Sequence, residues 1–543
     1  MIKQLSDSDS VADICIVGTG PVGMALALEF DRRGMDVLLL EAGDMEDKPS
    51  EASRAQIVNP ARHADMTVAA SRALGGTSWR WGGRCVPYDD VDWMRRDFVA
   101  DAEWPIDHDT VRPYYKSAAE YMLCGGAFEL PYAQPLTGGL TLHTVERWAR
   151  QSRVILVHRD RLLASPHIAL SLNSTVTGFD LSPDGRSIEA LRVTTQQAER
   201  RVKARRFILA LGGVEIPRLL LHVQQSAPHL FGGVDGPLGR YYMGHISGKI
   251  ANIVFDRPAY GSDLDFHLDE TGAYYRRRFA LSADAQVENK VLNTAFWPDN
   301  PSFYDPAHRN GVLSGVFLLL AFPPTGRRLL PEGIRLAHTG PRPYPILAHL
   351  KNAVLGAPAG IADVYRILRD RFIRKPRKPG FLLRNRGGKY ALHYHAEQIP
   401  TAASRITLSQ EKDSFGVPRA SIDLRFADQD VQSVIDSHRL LDEALRANGI
   451  GRLEYKYAPE TLAEHIDAQA ADGFHQVGTT RMGADPKTSV VDADLKAHSL
   501  ENLYIASSSV FPTSGQANST LLAVAFALRL VDHLTARKGS NAA

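Results

Sequence analysis

The chain has 543 residues, 44% of them hydrophobic and 23% charged, with a formal net charge of +2. That length exceeds what one hydrophobic core usually fills, so two lobes are expected, and the composition excludes extensive disorder. A net charge so near zero gives no sign of a polyanion-binding surface, and nucleic acid is not an expected partner.

Three cysteines, Cys15, Cys85 and Cys124, lie far apart in sequence and form neither a disulfide framework nor a zinc spacing. The first residues show no apolar leader and no twin arginine. The longest apolar runs, 312–322 and 521–528, are too short to cross a bilayer. A cytoplasmic protein without a transmembrane segment is the expectation.

In chain order, residues 12–17 read as a buried strand, 21–33 as a helix and 37–40 as a second strand. So short a crossover implies a parallel, doubly wound sheet. A third buried strand is expected at 206–211, turning through Gly212-Gly213 into a helix around 217–221. A fourth is expected at 503–506, before a loop and a helix of roughly 519–536. The nucleotide-binding part is therefore discontinuous. The expected division is 1–250 with 465–543, including a loop and lid around 60–150, against a second lobe at 251–464. That lobe has strand-like runs at 405–409 and 420–426. Residues 340–380 are rich in Pro, Gly, Arg and Lys, and read either as a mobile basic insertion or as a solvated surface helix.

Gly18-Thr19-Gly20-Pro21-Val22-Gly23 fits G-x-G-x-x-G where a strand passes into a helix. Gly18 permits the tight turn, Gly20 lets backbone reach a pyrophosphate, and Gly23 packs helix on strand. Glu41 follows at the tip of the second strand, 18 residues after Gly23, placed to accept from the adenosine ribose hydroxyls. A carboxylate there repels a 2′-phosphate, so NADP is not expected. This unit alone does not separate FAD from NAD.

Three further segments resemble the glucose–methanol–choline (GMC) oxidoreductase family. The first is Leu74-Gly75-Gly76-Thr77-Ser78-Trp79-Arg80-Trp81-Gly82-Gly83, and the second Ala210-Leu211-Gly212-Gly213-Val214-Glu215. The third is His475-Gln476-Val477-Gly478-Thr479-Thr480-Arg481-Met482-Gly483, continued by Asn518-Ser519-Thr520-Leu521. The resemblance spans nearly the whole chain and is weakest between 250 and 390. It implies an α/β fold, with a discontinuous Rossmann-like FAD-binding domain and a second α+β substrate domain on an antiparallel sheet. It also implies FAD, held by Gly75, Gly76, Ser78, Trp81, Gly82, Val176, Ser507 and Thr520 besides Gly18, Gly20, Gly23 and Glu41. In the family the Gly-Gly-x-Ser loop lies along the isoalloxazine, its glycines permitting close backbone approach.

His475 and Asn518 resemble the His/Asn pair of the pyranose oxidase and C-glycoside 3-oxidase branch. Ser507 stands where most members have Asp, and Ser519 where Pro is usual. Arg80 occupies the place of a flavin-tethered His in fungal pyranose oxidases, so non-covalent FAD is expected. An imidazole suits removal of a hydroxyl proton, and Asn518 would hold the same oxygen. His393, His395 and Gln398 are candidate substrate contacts; no third ligand at sensible spacing supports a metal at the His-x-His pair.

The implied activity is oxidation of a secondary sugar hydroxyl, at C3 or C2, with oxygen or a quinone-like molecule accepting the electrons. Two alternatives stand beside it: the flavoprotein subunit of a sugar or sugar-acid dehydrogenase that passes electrons to a quinone or cytochrome partner, and a non-redox flavin-binding lyase.

Overall fold

The computed structural model describes residue 5 and residues 11–48, 54–195, 198–257, 259–384 and 387–540. The first sheet is built from β1 (Ala12–Val17), β2 (Val37–Leu40), β3 (Ile168–Ser171), β4 (Ala204–Leu209) and a strand at Leu503–Ile505. Its order is Leu503–Ile505, β4, β1, β2, β3, and every pairing is parallel. Helix α1 (Pro21–Arg32) crosses from β1 to β2, as the apolar run and glycine pattern require. Ile14, Ile16, Leu39, Ile208 and Ile505 are all completely buried, because a parallel sheet is covered on both faces. Strands from the start, middle and end of the chain thus share one sheet; those expected at 12–17 and 37–40 have the expected bounds, the one at 206–211 is shifted to 204–209, and the one at 503–506 is shortened to 503–505.

The second sheet is antiparallel, with six strands. In chain order these are Leu140–Thr141, β5 (His245–Phe255), β6 (Phe279–Leu281), β7 (Thr294–Asp299), β8 (Lys389–Glu397) and β9 (Gly451–Tyr455). β5 and β8 are central neighbours, and their register sets His245 opposite Glu397 and Ser247 opposite His395. Behind the sheet lies a separate apolar core that includes Ile246, Ile253, Leu392, Val434 and Leu445. The strand-like runs around 405 and 420 form a smaller pair, Arg405–Lys412 with Pro418–Asp423.

Between β7 and β8 the chain is helical, with α2 (Gly311–Ala321), α3 (Glu332–Thr339) and α4 (Ile346–Leu368). α2 and α4 cross at Gly311 and Gly356, where a Cβ on Gly356 would come within 2.8 Å of the Gly311 backbone. The middle of the 340–380 segment is therefore a surface helix, but its outward face is apolar: Leu347, Val354, Leu355, Ile361 and Tyr365 are all exposed. Among the described residues no helix is long and apolar enough to cross a membrane.

Candidate functional site

A cavity of about 620 Å³ is lined by residues of both sheets and of the loops between them. Gly18, Gly20, Glu41, Arg72, Gly76, Thr175 and Val176 contribute to it, as do His475, Gln476, Ser507, Asn518 and Thr520. A larger cavity, about 1170 Å³, adjoins it and shares Trp81, Gly82, Ile334 and His338. The smaller one is the candidate site because it joins the glycine turn to the His/Asn pair.

At the glycine turn, Gly18 has φ 101° and a Cβ there would sit 2.6 Å from the Ala210 carbonyl oxygen. A Cβ on Gly23 would stand 1.9 Å from the Gly18 carbonyl oxygen, so helix and turn close only without a side chain. Around Gly20 no atom lies within 4 Å of that position, and the backbone entering α1 is open. The helix N-terminus thus presents free amide donors and the positive end of its dipole to the cavity. Glu41 lines the cavity while its carboxylate accepts from Thr19 N (3.1 Å), Thr19 Oγ1 (2.5 Å) and Gly43 N (2.8 Å). Burial raises its pKa against those hydrogen bonds.

The 74–83 loop packs on this turn. Gly75 (φ 99°) and Gly76 (φ 53°) take conformations that favour glycine. A Cβ on Gly76 would meet Gly20 Cα at 2.7 Å, and one on Gly75 would meet Ile155 at 3.0 Å. Both glycines are thus required by close packing, Gly76 against the Gly20 turn and Gly75 against Ile155, while Gly76 also lines the cavity. Ser78 Oγ donates to Gly75 O (2.6 Å), and Trp81 Nε1 donates to Ser152 O (2.6 Å). Arg80 lines the cavity with its guanidinium paired to Asp47 (3.0 and 2.9 Å). Val176, at the start of the strand Thr175–Leu181, lines the cavity as well. Ser507 accepts from Ser509 N (3.2 Å), and Thr520 opens the C-terminal helix α5 (Thr520–Ser540).

His475 and Asn518, 43 residues apart, meet at the cavity wall with Nε2 and Nδ2 2.5 Å apart. The His475 loop is held to the start of β5 by the bridge between Met243 and Val477. Asp472 fixes the imidazole from behind. Its Oδ1 accepts from the backbone N–H of Phe474 (2.8 Å) and His475 (3.2 Å), while Oδ2 lies 3.0 Å from His475 Nδ1 and accepts from His245 N (2.8 Å). Burial alone would raise the Asp472 carboxyl, yet the imidazoles of His475 and His245 hold it well below the ordinary carboxylate range. An ionised carboxylate can only accept, so the hydrogen sits on Nδ1 of His475 and the lone pair on Nε2. Asn518 Nδ2 then donates to that lone pair, leaving Asn518 Oδ1 buried without a hydrogen-bond partner.

Two more imidazoles surround His475. His245 and His395 are diagonal neighbours on β5 and β8, with ring centroids 4.3 Å apart, and lie 4.5 and 5.6 Å from the His475 ring. Burial above all depresses the pKa of both, so they are neutral at neutral pH. Nitrogens of the three rings lie within 4.8 Å of one another, a set able to hold a metal ion. The sequence offered no third ligand for a His393/His395 pair; the fold supplies a different trio.

His393 stacks on Trp297 (4.5 Å, 14°), lies 3.7 Å from Asp299 and lines the cavity. His395 instead stands behind His475, its Nδ1 2.7 Å from Gln516 O. Gln398 is completely buried, its Oε1 accepting from Gly244 N (2.8 Å) and its Nε2 donating to Arg425 O (2.6 Å). The expected substrate contact by Gln398 is thus corrected: its side chain is completely buried, tied to backbone groups, and lines neither cavity. Sequence reasoning missed Asp472 and His245. A carboxylate three residues before an imidazole is an Asx-turn signal that would have found the first; nothing local marks the second.

The residues fit FAD: an open glycine turn at a helix N-terminus, a carboxylate at the second strand tip and an orphaned carboxamide oxygen share one cavity. The family model described as "GMC oxidoreductase" matches residues 400–527, and that described as "FAD binding domain" matches residues 11–64. The chain is similar to the fructose dehydrogenase large subunit of Gluconobacter japonicus, 22% identical over 97% of this chain and 98% of that one. It is similar to the C-glycoside 3-oxidase of Arthrobacter globiformis, 33% identical over 22% of this chain and 21% of that one. Its fold resembles that of a fungal aryl-alcohol oxidase, with a TM-score of 0.52 at 13% identity, covering 97% of this chain and 99% of the other.

Proposed function

The chain belongs to the GMC oxidoreductases, and on that premise we propose that it oxidises a secondary ring hydroxyl of a sugar or glycoside, at C3 or C2, to a ketone. It is an FAD-dependent oxidoreductase acting on the CH–OH groups of sugars or alcohols. The observation that carries the finer reading is the His475–Asn518 contact at the cavity wall, backed by Asp472.

A substrate hydroxyl entering between the two side chains donates its hydrogen to His475 Nε2 and accepts one from Asn518 Nδ2. As the proton passes to Nε2, the imidazolium keeps its Nδ1–H on the Asp472 carboxylate, which stabilises the new charge. The free Asn518 Oδ1 offers an acceptor for a neighbouring hydroxyl, a pattern suited to a vicinal diol of a sugar ring. Bound FAD supplies the acceptor for the carbinol hydride. Arg80, engaged with Asp47, offers no nucleophile for a covalent link to the cofactor, which supports non-covalent binding. Oxygen or a quinone-like molecule would serve as the final electron acceptor.

A second reading rests on likeness to the fructose dehydrogenase large subunit over nearly the full chain: a dehydrogenase flavoprotein that hands electrons to a quinone or cytochrome partner. The two separate on one experiment. Purified protein is mixed anaerobically with free sugars, O-glycosides and C-glycosides, and then exposed to air. Bleaching of the yellow colour by a glycoside, followed by one hydrogen peroxide per product, is expected of the oxidase. Bleaching with slow reoxidation by air but fast reoxidation by a quinone analogue favours the dehydrogenase. No bleaching by any sugar defeats both.

A further inference from the structure

We propose that the outward face of α4, with the cations around it, docks on an anionic lipid surface. Leu347 is 83% exposed, Val354 72%, Ile361 69% and Tyr365 63%, with Leu350 and Leu368 also exposed. At about 100° per residue these six positions fall within an arc of roughly 60°. They form one stripe along the 23-residue helix.

The stripe cannot be turned inward, because the opposite face is committed. His349 stacks on Phe317 (3.9 Å), its Nδ1 lies 3.0 Å from Ser314 Oγ, and Gly356 abuts Gly311 on α2. Contiguous apolar surface of this kind on a single chain marks an interaction site.

Charge identifies the partner. Residues 321–380 hold twelve Lys and Arg against three acidic residues, in a chain whose overall balance is +2. Arg342 precedes the stripe, while Arg369, Arg374, Lys375 and Arg377 follow it, all exposed. Lys351 and Arg369 sit about 40° beyond the stripe's edge on the helix. A second copy is disfavoured, since a two-fold contact would set this cationic patch against itself. An apolar stripe edged by cations suits a helix lying in the headgroup plane of an anionic leaflet, and requires no spanning segment. Val364 and Leu368 also line the larger cavity, which shares Trp81 and His338 with the cofactor cavity. Docking by this face brings a wall of that cavity to the bilayer.

The test uses the full chain loaded with FAD, sedimented with phosphatidylcholine vesicles with or without phosphatidylglycerol, at low and high salt. Binding is expected to the anionic vesicles, weakening as salt screens the cations. A variant combining Lys351→Glu, Arg369→Glu and Arg374→Glu should bind at least about a hundredfold more weakly, since loss of each cation alone costs roughly fivefold. A variant combining Leu347→Glu, Val354→Glu and Ile361→Glu should also lose binding while keeping its flavin spectrum and turnover. Absence of binding to either vesicle overturns the proposal. So does binding that survives loss of the stripe, or a concentration-dependent dimer that the stripe variant dissolves, which would assign the face to a second copy. Capture by an acidic protein in preference to anionic vesicles would likewise overturn it.

Discussion

Asp472 grips His475 at two places, its Oδ1 on the backbone N–H and its Oδ2 3.0 Å from Nδ1 of the ring. One side chain therefore fixes the turn, the ring orientation and the tautomer together. Replacing Asp472 by Asn keeps the volume but allows a donor to face Nδ1, which favours the wrong tautomer. Turnover should fall by about a hundredfold or more. FAD content, read from the visible spectrum, should stay near wild type; a proportional loss of both would mean that Asp472 serves only the fold.

Asn518→Ala removes the donor beside Nε2 and the free acceptor Oδ1. The expected loss in kcat/KM is about 2–4 kcal/mol, the scale of one positioned hydrogen-bonding group in a dry site. Asn518→Asp should be as damaging, since a carboxylate cannot donate to the lone pair. Steady-state kinetics on both variants checks this, and an active Asn518→Asp enzyme would contradict the assigned amide orientation.

Gly76→Ala places a methyl 2.7 Å from Gly20 Cα at a residue with φ 53°. The strain falls where two loops meet at the cofactor cavity, so the variant should purify with much less yellow colour while retaining its far-UV spectrum. Gly416→Ala, also at positive φ (78°) but with no atom within 4 Å of its Cβ position, controls for backbone strain alone.

Arg96 and Glu397 form a completely buried bidentate pair at 2.7 and 2.6 Å, tying the 90–100 segment to the end of β8. Arg96→Ala removes from the interior the guanidinium that balances Glu397. It should cost about 3–5 kcal/mol of unfolding free energy in a urea titration.

His438 is fully buried, its Nδ1 2.7 Å from Val434 O, and burial lowers its pKa from 6.5 to about 4. The unfolded chain takes up this proton as pH falls through about 6.5, whereas the folded chain stays neutral until about 4. The contribution to stability is therefore full above about pH 6.5 and is lost on acidification across that window. Between pH 7 and pH 5 the loss from this residue is about 2 kcal/mol. His438→Gln should flatten the pH dependence by that amount in matched urea titrations.

The sequence carries the β1–α1–β2 unit because its signals are local: an apolar run, glycines at the turn and a carboxylate at the next strand tip. His475 and Asn518 were legible through the segments around them. His245 was not, since it reaches the site only through the pairing of β5 with β8, far from either segment. Gln398 was misjudged for a related reason: whether an amide is free depends on backbone groups at Gly244 and Arg425 that only the tertiary fold brings near. The basic character of the 340–380 segment was legible in its Arg and Lys content despite the near-neutral charge of the whole chain. The apolar residues of α4 resemble an ordinary buried face until the packing of His349 and Gly356 shows which side is covered.

The most direct test of the chemistry is rapid anaerobic mixing of FAD-loaded wild type and His475→Ala with a glycoside substrate, following loss of the oxidised flavin absorbance. The account predicts that the variant keeps its cofactor but bleaches about 10²–10⁴-fold more slowly. Bleaching of the variant at the wild-type rate would remove His475 from the proton-transfer step and contradict the account.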